Sequence, residues 1–304
     1  MGRQPDGGRG RPVSAFNDFW AGRELWQEPL FAGVLAAALL SYLGVFVVLK
    51  RMVFVSAALS EVSGVGVAFA FYVSAVAGVD PHTHHFGIPI LLDPTWFSLL
   101  FACLAGVLFS LRPGHRKLAP ETVVGIGYIA ASALVLAILN SPRIAQEAHA
   151  VGDILFGNAV TVPFSQIEAL LAVGAVGLLI HALFFKELLF VSYDSETAVV
   201  QGVGVLRYEL VLNLVIAVII SVATRAVGAL PVFAFTVVPA AAALMVTERL
   251  RTTIALSVAI GIVSAAVGYY VSWVESLPTG ASMVIVASLF LVPGLLRLLR
   301  RGTV

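Results

Sequence analysis

One carboxylate, Glu61, stands deep inside an apolar stretch, SAALSEVSGVGVAFAF. A charged carboxylate in hydrocarbon costs on the order of 2.5–3.5 kcal/mol on insertion scales unless a cation, a polar partner or water meets it. Glu61 is therefore a candidate for ion handling by default. Ser60 stands next to it, and the i±3 and i±4 spacing puts Ala57, Gly64 and Val65 on its helix face. That face is small and partly polar. It suits either the lining of a narrow path or a close contact in which Glu61 pairs with a neighbouring helix, and the residues alone leave both open.

Three polar segments offer further chemistry. In VDPHTHHFGIPILLDP (79–94), His82, His84 and His85 can offer imidazole nitrogen to a borderline metal, with Asp80 or Asp93 as an added ligand. The alternative is a solvated loop. In SPRIAQEAHAVGDILFGNA, Glu147 and His149 are too close in sequence to stack on one helical face, so with Asp153 they read as surface polar residues. In KELLFVSYDSETAVVQGVGV (186–205), Asp194-Ser195-Glu196 has the composition of a helix start, with acids at the positive dipole end, and Gly202 or Gly204 can stop it. A short helix there is either a docking surface for a partner or a connecting loop.

Some chemistries are absent. The chain has no GxxxxGK[ST] phosphate-binding loop and no HExxH metalloprotease pattern. Val62-Ser63-Gly64 only superficially resembles a membrane serine nucleophile, because Glu61 stands where glycine would be wanted. An intramembrane enzyme is thus the contrasting class, disfavoured by the residues. Cys103 is the only cysteine and can form neither an internal disulfide nor a thiolate cluster.

The elements that must hold these residues are set by composition. The chain of 304 residues is 60% hydrophobic and 12% charged, with a mean hydropathy of +0.99. Soluble domains are about 45–50% apolar and about 25% charged. This chain needs lipid around it. At roughly 20 residues per crossing, the length allows up to about ten helices and no large soluble domain. A net charge of +1, with Lys and Arg scattered at segment ends, excludes a basic face for nucleic acid.

Apolar runs near 30–49, 55–78, 95–111, 122–140, 165–185, 209–225, 229–246, 254–273 and 281–298 predict an all-α, polytopic transmembrane bundle of about 8–9 spans. Residues 1–28 form a separate segment. Their Gly, Arg and Pro content up to residue 14 predicts a disordered tail. Phe16, Phe19, Trp20 and Trp26 among charges predict a short interfacial helix over 15–28. If the first span ends in the cytoplasm, the inner ends carry Lys50, Arg51, Arg112, Arg116, Lys117, Lys186, Arg207, Arg249, Arg251, Arg297, Arg300 and Arg301, which is 12 of the 18 Lys and Arg residues. The positive-inside rule then puts the N-terminus outside and the C-terminus inside.

From about residue 29 to 300 the order of segments resembles the permease family of zinc, manganese and iron ABC importers. The likeness is carried by GVFVVLKRMVFVSAALSEVSGVGVAFAF (44–71), DILFGNAVTV (153–162), KELLFVSYDSETAVVQGV (186–203), and VGALPVFAFTVVPAAAALM with LPTGASMVIVASLF (227–245 and 277–290). The resemblance implies that 29–304 is a transmembrane permease domain and that 186–205 is the coupling segment seated on a cytoplasmic ATPase. Tyr193, Asp194, Glu196 and Gly202 stand at the family's coupling positions. It also implies a permease homodimer in lipid, an extracytoplasmic metal-binding protein, and alternating access powered by a separate ATPase. The chain then binds no cofactor of its own, and a divalent metal ion is its cargo. The family's Asp-Ala-Leu-Ser-His reads Ala57-Ala58-Leu59-Ser60-Glu61 here, so Ser60 and Glu61 are what remains along the metal path. An oxygen replaces an oxygen and a nitrogen, which favours manganese or another hard cation over zinc. The same architecture carrying a non-metal solute is the alternative.

Overall fold

The computed structural model describes residues 20, 22–78, 93–111, 119–144, 152 and 162–301. His82, His84 and His85, the residues Glu147, His149 and Asp153, the tail up to residue 14, and Arg112, Arg116 and Lys117 lie outside them. The described chain is helical: α1 (Arg23–Leu49), α2 (Val53–Ala77), α3 (Pro94–Ser110), α4 (Pro120–Leu139), α5 (Phe164–Leu183), α6 (Phe185–Tyr193), α7 (Ser195–Val200), α8 (Val205–Val227), α9 (Ala229–Val246), α10 (Leu250–Glu275), α11 (Thr279–Leu289) and α12 (Leu291–Arg301).

Eight of these segments are long and apolar enough to cross a bilayer, α11 and the start of α12 together forming the last. The ninth, α3, has 17 residues and rises about 25 Å at 1.5 Å per residue. The chain is a multi-pass membrane protein, and the 8–9 spans read from the sequence are found. Arg23 to Glu28 belong to α1 itself, where Trp26 is buried in the core, edge-on to Trp20 with ring centroids 5.4 Å apart; residues 15–19 of the expected interfacial helix lie outside the described residues.

Local chemistry sets the ends. Asp93 caps α3, its Oδ1 accepting the Thr95 N–H at 2.7 Å, with Pro94 at the first helical position. Gly228, at φ +94°, is the single residue between α8 and α9, a reversal that favours glycine.

Packing relies on small residues and hydroxyls, as expected where lipid removes the hydrophobic drive between helices. A Cβ on Gly44 would overlap the Thr236 carbonyl, and one on Gly66 would lie 2.6 Å from the Phe97 carbonyl oxygen. Thus α1 meets α9, and α2 meets α3, nearly backbone to backbone. Across the second seam, Ser63 and Ser98 hydroxyls are 2.7 Å apart, and Ser98 and Ser221 are again 2.7 Å apart, joining α2, α3 and α8. Asn213 donates to Ser110 Oγ at 2.8 Å.

Burial is uneven. Over the most apolar 18 residues of each span, 72% are buried in α2 and α8, against 17% in α4 and 28% in α5. The main core is built on α1 and α8. A smaller cluster of Val65, Val67, Ala68 and Phe71 from α2 with Ala131 and Val135 from α4 holds α4 in place.

Candidate functional site

Glu61 is half-buried and faces a cavity of about 350 Å³ between α2, α4 and the first turns of α9. Ala57, Ser60 and Glu61 form one wall; Tyr128 and Ser132 come from α4, Leu230 and Phe233 from α9. Ala57 and Glu61, four residues apart, are side by side as the helical spacing demands. The Ser60 hydroxyl donates to the Ala57 carbonyl at 2.9 Å, leaving its lone pairs as the acceptor it can offer. The Ser132 hydroxyl is buried near the Glu61 carboxylate without reaching hydrogen-bond geometry. Among the described residues the polar side-chain surface is therefore one carboxylate and three hydroxyls, from Ser60, Tyr128 and Ser132, with no nitrogen or sulfur ligand. Among the described residues no three His, Cys, Asp or Glu side chains gather at one point. The arrangement suits brief contact with a hard cation rather than permanent capture.

The second set of residues lies where α5 turns into α6 and α7. Asp194 stands between α6 and α7 and caps α7: Oδ1 accepts the Thr197 N–H at 2.9 Å, and Oδ2 accepts the Thr197 hydroxyl at 2.6 Å. That hydroxyl, with the backbone N–H, holds the Asp194 carboxyl below its ordinary range. Gly202, at φ +78°, turns the chain back, and the Val203 N–H reaches the Ala198 carbonyl at 3.0 Å. Ala198, Leu188 and Val191 are buried, while Tyr193 is 77% exposed and Val200 86%. Glu196 is exposed. The segment is thus anchored on one side and presents Tyr193, Glu196 and Val200 on the other. Beside it lies a groove of about 460 Å³ between Lys186, Phe190, Tyr193 and Glu248.

The sequence matches the ABC 3 transport family over residues 23–297. The chain belongs to that family. The manganese transport system membrane protein MntC of Halalkalibacterium halodurans is 27% identical over 266 residues, covering 86% of this chain and 83% of the relative. The manganese import system permease protein ScaB of Streptococcus gordonii is 26% identical over 267 residues, covering 88% and 89%. Among solved structures, PsaBC from Streptococcus pneumoniae in complex with Fab superposes with a TM-score of 0.75 at 24% identity, covering 93% of this chain and 95% of that one. This ABC 3 family member therefore shares its fold with that protein nearly from end to end.

Several polar features of the family member were not singled out from sequence. Lys50 and Glu209 form an ion pair at 3.4 Å, with side chains only 7% and 3% exposed. Arg225 pairs with Asp93 at 3.6 Å. His181 is fully buried, edge-on to Tyr42 and Phe46 at 5.5 and 4.9 Å, and neither ring nitrogen has a hydrogen-bond partner. For the ion pairs a signal existed: Lys50 ends one apolar run and Glu209 opens another on the same side of the bilayer. For His181 the signal was its type, an ionisable side chain inside an apolar run; for Ser132 there was none, since neither residue type nor spacing marks it.

Proposed function

We propose that this chain is the membrane-spanning permease subunit of an ATP-driven importer of divalent metal ions, with manganese the favoured cargo. It works as a homodimer, takes its ion from an extracytoplasmic binding protein, and is driven by a separate cytoplasmic ATPase bound at α6 and α7. The observation that carries this reading is that Ala57 and Glu61, which replace the acid and the histidine of the resembling family, share one intramembrane cavity whose polar side chains, among the described residues, offer oxygen alone. Hard divalent ions take carboxylate and hydroxyl oxygen, whereas zinc gains more from imidazole or thiolate. The names of the manganese relatives agree with that ligand chemistry. The weakly buried α4 and α5 supply surface for a second permease around the path, and the exposed Tyr193, Glu196 and Val200 supply a face for the ATPase. In this mechanism Glu61 binds the ion transiently while the cavity changes the side to which it opens.

The test is uptake of radiolabelled manganese and zinc by wild type, Glu61→Gln and Glu61→His, each normalised to folded protein. Glu61→Gln keeps the shape and removes the charge. It is expected to fold, retain its ATPase and lose most manganese uptake, while Glu61→His is expected to move the preference towards zinc. Unchanged rates and an unchanged ion ratio in all three would remove Glu61 from the path.

A further inference from the structure

The coupling segment and the helix that carries Glu61 are not adjacent in sequence, yet one buried ion pair connects their bases. Glu209 lies in the second turn of α8, directly after α7 and its Gly202–Gly204 return. Lys50 caps the C-terminus of α1. Only Arg51 and Met52 separate it from α2, and Glu61 lies about 12 Å further along that helix at 1.5 Å per residue.

The turn between α1 and α2 is stiff. The Lys50 N–H bonds the Phe46 carbonyl at 3.0 Å, the Arg51 N–H bonds Val48 at 3.0 Å, and the Met52 N–H bonds Val47 at 3.2 Å. Arg51, a residue with a Cβ, is held at φ +59°, a conformation that persists only where its surroundings determine it. A displacement of Lys50 therefore moves the start of α2 rather than being absorbed in the turn. On the other side, Phe184 and Tyr208 rings lie 6.1 Å apart, and Phe185 meets Phe46 edge-on at 6.0 Å. The α5–α6 turn thus touches the bases of both α8 and α1.

We infer that the Lys50–Glu209 ion pair is the positioning link through which movement of α6 and α7 reaches the α1–α2 turn and so the ion cavity at Glu61. Separating two charges this deeply buried gives up their mutual attraction in a poorly screened setting, so the two helix ends favour moving together. An apolar contact at the same place would slide more easily. The inference rests on the importer reading, with α6 and α7 as the ATPase seat.

The experiment reconstitutes permease and ATPase in liposomes and measures manganese ions moved per ATP hydrolysed. Four forms are compared with wild type: Lys50→Met, Glu209→Gln, the swap Lys50→Glu with Glu209→Lys, and the apolar pair Lys50→Met with Glu209→Met. The apolar pair removes both charges at similar volume, so it is expected to fold even where a single change does not. Expected is retained ATPase binding and hydrolysis, with ions per ATP lower by about tenfold or more in the folded single variants and the apolar pair. The swap is expected to recover part of that ratio. A folded apolar pair, or folded single variants, with a ratio within about twofold of wild type would show a purely structural pair and overturn the inference. If the wild-type complex itself shows no ATP-dependent manganese uptake, the importer reading fails and the inference falls with it.

Discussion

Replacing Gly66 by alanine tests how firmly the helix carrying Glu61 is held. A Cβ at this position would lie 2.6 Å from the Phe97 carbonyl oxygen and 2.6 Å from Ser98 Cα. Both atoms are backbone, so no side chain can swing aside. Relieving the overlap to ordinary carbon contacts of about 3.5 Å requires α2 and α3 to separate by roughly 1 Å. The same movement stretches the Ser63–Ser98 hydroxyl contact, now 2.7 Å, beyond hydrogen-bond reach. Overpacking of this kind costs about 1–3 kcal/mol, and a lost interhelical hydrogen bond in a bundle about 0.6, at most about 1.7 kcal/mol. Together these give roughly 2–4 kcal/mol, or a fall in the thermal midpoint on the order of 5–10 °C. The assay is thermal unfolding of purified protein in mild detergent. Gly125→Ala is the control, because nothing lies within 4 Å of a Cβ added there; it is expected to leave the midpoint unchanged or raise it through helix propensity. A Gly66→Ala midpoint lowered by less than about 2 °C would refute the close-seam argument.

Reversing both acids of the coupling segment, Asp194→Lys with Glu196→Lys, opposes the helix dipole at the start of α7 and is expected to loosen the ATPase during co-purification while insertion survives. Because the folded Asp194 carboxyl is held below its ordinary range, its cap is complete above the unfolded carboxylate range and is lost as pH falls through the lower folded value. ATPase attachment should therefore show an acid-side loss that Asp194→Asn, still a good cap, does not show. His181→Leu removes two buried, unpartnered ring nitrogens from an aromatic setting and is expected to leave thermal stability equal or raised by about 1–3 kcal/mol; a marked loss would reveal a partner for the ring. In a Cys103→Ala background, a cysteine at Asn140 is expected to react with an impermeant label from outside and one at Val200 only after permeabilisation, and the reverse pattern would invert the orientation.

Span positions were readable because each is a long apolar run that lipid forces into a helix, and the period of 3.6 was enough to put Ala57 and Glu61 on one face. The helix start at Asp194 was readable for a local reason, since a cap and its dipole act within one turn. What sequence left open was partnership across helices. Nothing in YIAASALV marks Ser132 as a hydroxyl that shares the cavity with Glu61, and nothing near His181 says that it meets two aromatic rings and no acceptor. Ser63, Ser98 and Ser221 are 35 and 123 residues apart along the chain, and serines in apolar runs look alike until packing chooses them. Burial of Trp26 was likewise not legible, because an aromatic among charged residues reads the same whether it meets the interface or the core.

The shallow seating of α4 bears on how such a protein changes its cargo over evolutionary time. One wall of the cavity at Glu61 belongs to α2, which is closely packed against its neighbours. The facing wall, with Tyr128 and Ser132, belongs to a helix whose most apolar 18 residues are only 17% buried, and Tyr128 is itself 37% exposed. Substitutions on that wall disturb few contacts. New ligand chemistry can therefore be sampled on α4 while the fold stays intact, and a change at position 57 or 61 can become tolerable once α4 has supplied a matching group.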